Sequence, residues 1–81
     1  MSDSGTLMEK NVRFDRHARR RMKWRKISEE EVLDALNRPE RVEQSIRGRV
    51  NVYKAVGAKH LKVTYREFSE EILVISVMDK T

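Results

Sequence analysis

The sequence predicts a small α+β domain: two N-terminal helices followed by a three- or four-stranded antiparallel β-meander. Three observations predict it. Good helix formers run from Phe14 to about Arg25. A serine followed three residues later by a glutamate opens a second helical segment at Ser28. From Arg41 onward the apolar residues switch from helical spacing to alternation.

The elements follow in order. Residues 1–11 are mostly polar and read as a disordered leader, which leaves a single domain over residues 12–81. In the first helix Asp15 falls in the first turn, where the helix dipole favours an acid. Ser28 and Glu31 form a capping box for a second helix over about Glu29 to Asn37, with Val32, Leu33 and Leu36 on one face. Pro39 stops it, because proline disfavours helical geometry at Arg38. A first strand is expected within Arg41 to Ile46, and Gly48 and Gly57 mark turns around a second. Leu61, Val63 and Tyr65 alternate with Lys62, Thr64 and Arg66 in a third. The last, Ile72 to Met78, is apolar on both faces apart from Ser76 and is expected at the centre of the sheet. Turns this short imply antiparallel neighbours.

Composition narrows the function classes. There is no cysteine, so no disulfide or thiolate metal site, and a reducing, cytoplasmic setting is expected. No apolar run approaches a membrane span. The net charge is +5, and it is uneven. Lys10 to Lys26 carry nine basic side chains and one acid, Asp15, so the surplus is one patch. A basic patch attracts a polyanion, and RNA is the expected partner.

Spacing of 100° per residue places Phe14, Ala18 and Met22 on one arc of the first helix, facing the sheet. Arg25 falls inside that arc. His17 and Arg21 flank it, with Trp24 beside His17. Arg16, Arg19, Arg20 and Lys23 point outward as an electrostatic surface. A cation bordering the core must be paired. Arg21 and Arg25 could be structural partners of Glu29, Glu31 or Glu43; the alternative is a cationic cleft between helix and sheet. Arg49, Lys54, Lys62 and Arg66 are the strand cations such a cleft could recruit, while Trp24 could staple the helix or stack on a base. Tyr53 and Tyr65 read as packing residues with one wet end.

Cutting RNA without a metal requires a base for the 2′-hydroxyl, an acid for the leaving oxygen and cations for the phosphorane. Histidine suits the first two roles and arginine the third. Of the two histidines, His17 lies among arginines and His60 begins a strand. No histidine pair has helical ligand spacing, so neither metal nor other cofactor is expected.

His17-Ala18, Arg21-Met22, Arg25 and Ile27-Ser28 resemble the motif His-Ala-x-x-Arg-Met-x-x-Arg-Gly-Ile-Ser, which opens the family known as domain of unknown function 4258. Pro39-Glu40, Gly48 and the strands Leu61–Tyr65 and Ile72–Val77 match its later parts, so the resemblance covers Phe14 to Met78. That family looks like a relative of RelE- and BrnT-type ribonuclease toxins. The resemblance therefore implies a RelE/BrnT-like fold and a metal-independent endoribonuclease, with His17, Arg21 and Arg25 as its motif residues. It also implies the toxin of a toxin–antitoxin pair, with ribosome-associated RNA as target and an acidic antitoxin protein as second partner. Two positions depart from the pattern: Lys26 stands where the family has glycine, and Met78 where it often has an aromatic residue. A non-catalytic RNA-binding or protein-interaction module on the same fold is the alternative.

Overall fold

The structure, a computed structural model, describes residues 11–80. The elements are β1 (Asn11–Phe14), α1 (Arg16–Arg25), α2 (Glu29–Asn37), β2 (Arg41–Gln44), β3 (Arg49–Val56), β4 (Lys59–Glu67) and β5 (Glu71–Asp79). A single 3₁₀ turn, Ile46–Gly48, joins β2 to β3. The expected leader falls outside the described residues except for Asn11, which opens β1.

The sheet corrects the expected meander. It has five strands in the order β1-β5-β4-β3-β2, and it is mixed. β1 precedes both helices and runs parallel to β5, pairing Asn11–Phe14 with Glu71–Val74. The other neighbours are antiparallel. Phe14 is therefore not a helix residue but the last of β1. Val12 and Phe14 alternate with Asn11 and Arg13, a strand pattern too short to stand out beside the helix that follows. The central strand is β4, with β5 next to it.

Both helices cover one face of the sheet. Ala18 and Met22 of α1, Ile27, and Val32, Ala35 and Leu36 of α2 are buried with Val50, Val52, Leu61, Val63, Tyr65, Ile72, Val74 and Val77. The spacing of Ala18 and Met22 places them on the buried face as expected. Arg25, expected on the same arc, is exposed. It is the last residue of α1, and its long side chain can leave the interface where the helix ends.

Local chemistry sets the helix ends. Asp15 is the N-cap of α1, not a first-turn residue, and its carboxylate accepts from the His17 backbone N–H at 3.3 Å. The capping box of α2 is present: Ser28 Oγ accepts from Glu31 N (3.1 Å), and Glu31 Oε1 accepts from Ser28 N (2.9 Å). Glu31 also binds Lys59 Nζ at 3.0 Å. The Ser28 backbone N–H and then the Lys59 ammonium hold its carboxyl below the ordinary carboxylate range. A depressed carboxyl stabilises the fold above that range, and the contribution is lost as pH falls through the lowered value.

The turn between the helices ends as glycine would end it. Lys26 itself adopts the left-handed conformation, φ 57° and ψ 44°. Its N–H donates to Lys23 O (3.4 Å), and Ile27 N–H donates to Met22 O (2.8 Å), which is a Schellman motif. The buried Met22 and Ile27 supply its apolar contact. Lys59 Nζ then grips the Lys26 carbonyl at 2.6 Å. A non-glycine residue in this conformation costs about 1 kcal/mol. Lys26→Gly relieves that cost and keeps the carbonyl. It should raise the melting temperature by a few degrees, roughly 4 °C per kcal/mol or more for a domain of this size. A lower melting point in a calorimetric scan would contradict this account of the turn.

Among the described residues no helix is long and apolar enough to cross a membrane.

Candidate nucleic-acid interface

β1 covers only half of one edge of β5. Its pairing ends at Val74, and Asp15 N–H closes it by donating to Val74 O at 2.9 Å. The chain then turns into α1. Beyond that point, among the described residues, no strand pairs with Ile75–Asp79 on this side. β5 is also irregular here: Thr64 faces Ser76 but Tyr65 faces Val74, so Ile75 is an extra residue, a β-bulge. Bulges re-aim side chains and often border sites.

An open cleft of about 750 Å³ lies between α1 and this stretch of β5. Its lining is Asp15, His17, Arg20, Arg21 and Trp24 from the helix side, with Ile75 and Ser76 from the strand. Residues at i, i+3, i+4 and i+7 share a helix face, so His17, Arg20, Arg21 and Trp24 are brought together by one stripe of α1. Trp24 is 80% exposed, a large apolar ring left open to solvent beside two guanidinium groups.

The carboxylates that sequence offers as structural partners for Arg21 and Arg25 are engaged elsewhere. Glu29 Oε2 accepts from Arg19 at 3.0 Å, Glu31 binds Lys59, and Glu43 binds Arg41 and Tyr53. Among the described residues, no carboxylate lies within ion-pair distance of Arg20, Arg21 or Arg25. Asp15 is the cleft's one acid, and it caps the helix. The cleft therefore holds an excess of positive charge.

The remaining sequence-derived cations do not converge here. Arg16 and Lys23 are exposed on α1 outside the cleft lining, and Arg19 is tied to Glu29 and lies over the Phe14 ring at 5.2 Å. Lys54 sits on the helix-covered face, bound to Asp34 (3.3 Å) and the Arg38 carbonyl (3.1 Å). Arg49, Lys62 and Arg66 lie on the opposite, uncovered face. Their alternation with buried Val50, Val63 and Tyr65 requires it. Asp15, Ile75 and Ser76 were not among the expected site residues, although Ser76 is the lone polar residue within the apolar stretch Ile72–Met78.

Among the described residues, no three of histidine, cysteine, aspartate and glutamate come together to form a metal-binding group. No curated protein and no solved structure matches the chain. The family model described as Domain of unknown function (DUF4258) matches residues 14–79, a span that runs from the end of β1 to the end of β5 and includes every residue of the cleft. The chain belongs to this family.

Proposed function

We propose that this protein binds single-stranded RNA in the cleft between α1 and β5. The observation that carries the reading is the convergence of Arg20, Arg21, His17 and the exposed Trp24 on one open cleft, with no carboxylate pairing either arginine among the described residues. Guanidinium forks match phosphate oxygens, and an open indole is a platform on which an unpaired base stacks.

The test is binding of a fluorescent RNA oligonucleotide, titrated with salt, by the parent and by Arg20→Gln/Arg21→Gln. Each phosphate contact contributes a slope of about −0.7 in log K against log salt for single strands. The double variant should bind roughly 10-fold or more weakly, with the slope reduced by about 1.4. Equal affinity and slope in parent and variant would remove the cleft as the RNA site.

A second reading, cleavage, is favoured by one observation: His17 shares the cleft with both arginines. A neutral imidazole takes the 2′-hydroxyl proton, the 2′-oxygen bonds to phosphorus, and the P–O5′ bond breaks. The 5′-oxygen is then protonated by the imidazolium, leaving a 2′,3′-cyclic phosphate and a 5′-hydroxyl. Arg20 and Arg21 hold the charge that develops on the phosphorane. An acidic protein such as an antitoxin would compete with RNA for the same two arginines.

A further inference from the structure

The uncovered face of the sheet carries a polar row that begins at the cleft. Ser76, Thr64, Asn51 and Glu43 are successive cross-strand partners on β5, β4, β3 and β2. They form one line across four strands, about 14 Å long at the usual spacing between strands. The line is hydrogen-bonded over most of its length. Thr64 Oγ1 donates to Asn51 Oδ1 at 2.7 Å, and Asn51 Nδ2 approaches Glu43 Oε1 at 3.5 Å. Tyr53 OH donates to the same Glu43 oxygen at 2.9 Å. Asn51 is buried, although helices cover only the other face. At the near end, Ser76 also lines the α1 cleft.

Cations flank this row on both sides. On one side Arg49 and Arg66 are direct cross-strand partners, two like charges face to face. That pairing is unfavourable unless something neutralises it. On the other side Lys62 and Arg41 are the two cross-strand neighbours of Tyr53, with Lys62 Nζ 5.9 Å and the Arg41 guanidinium 5.4 Å from its ring. Glu43, the row's one acid, is already met by Tyr53, Asn51 and Arg41, and its carboxyl is held below its ordinary range chiefly by the Tyr53 hydroxyl. Arg49, Lys62 and Arg66 have no carboxylate within ion-pair distance among the described residues.

We propose that this face is a second nucleic-acid-binding surface, continuous with the cleft at Ser76, along which a single RNA strand crosses β5, β4 and β3 between Arg49/Arg66 and Lys62/Arg41. The inference rests on the RNA reading of the cleft. The hydroxyl and amide groups of Ser76, Thr64 and Asn51 suit sugars and bases, with the Glu43 carboxylate at the far end beyond β3, and cations along both rims suit the phosphates. A second copy of the same face does not fit, because its charges repel.

The experiment compares fluorescent oligouridines of about three and about twelve nucleotides, lengths chosen below and within the usual site sizes for single strands. The parent should bind the longer one at least tenfold more tightly. Arg49→Gln/Arg66→Gln should lose about that tenfold on the long oligonucleotide, with a shallower salt slope, and nothing on the short one. Circular dichroism checks that these exposed substitutions leave the fold intact. Arg20→Gln/Arg21→Gln should weaken both lengths. If the parent binds both lengths alike, or Arg49→Gln/Arg66→Gln leaves the long one unaffected, the track is wrong and the cleft stands. If the parent binds neither, both readings fall. Polyglutamate bound as tightly as the long RNA, and lost in the same variant, would overturn the track in favour of a general anion surface.

Discussion

RNA cleavage by His17→Ala should be about 100- to 10,000-fold slower than by the parent, the range that positioned general acid–base groups contribute. The assay is purified protein with labelled RNA in EDTA. The substitution should leave two other readouts in place. His17 is exposed, and its backbone N–H, which serves the Asp15 cap, survives in alanine, so the melting temperature should hold. Arg20 and Arg21 remain, so RNA affinity should change by no more than about twofold, a few tenths of a kcal/mol. A rate loss without a binding loss is the signature of a group that acts on the proton and not on the phosphate. A His17→Ala protein that cuts as fast as the parent ends the catalytic reading and leaves the binding one intact.

Ile72→Ala should bring the protein close to unfolding. Ile72 is 0% exposed and sits in β5 between Val12 of β1 and Glu67 of β4. Truncating a buried isoleucine costs about 2–5 kcal/mol, because a packed core closes the cavity only in part. A domain of this size has roughly 4–10 kcal/mol in total. The melting temperature should therefore fall by roughly 10 °C or more. Val42→Ala, at an exposed edge position, is the control and should stay within about 0.5 kcal/mol of the parent. Comparable losses at the two positions in a denaturant titration would contradict the placement of the core.

How much of this was legible in the sequence depends on the range of the interaction. The capping box at Ser28 and the bounds of α2 were legible because both depend on residues within one turn. The burial of Ala18 and Met22, and their neighbours His17 and Arg21 beside the cleft, followed from helical spacing alone. The turn at Gly57, with φ 61° in a two-residue hairpin loop, followed from the freedom of that residue. What sequence missed is non-local. β1 is a four-residue strand whose partner lies at the far end of the chain, so nothing nearby marks it. The parity of each strand decides which face Lys54, Lys62 and Arg66 occupy. Register could not be read, so these three and Arg49 read alike as cations a cleft could recruit, and none of the four lines the α1 cleft. At Lys26 the family's glycine, the usual residue for a left-handed helix ending, is absent. The lysine instead accepts the left-handed conformation, held by Lys59 and the Ile27 contact.

The parallel pairing of β1 with β5 has a kinetic consequence. Arg13 reaches Glu71 across 58 positions of sequence, so the edge strand gains its neighbour only when nearly the whole domain has been synthesised. α1 follows β1 directly and packs chiefly against β5. During synthesis the basic helix therefore emerges early but has no surface to dock on, and long-range closure of this kind is the slow step in folding. The cleft should form late and all at once as the chain leaves the ribosome, because it has no wall until β5 arrives.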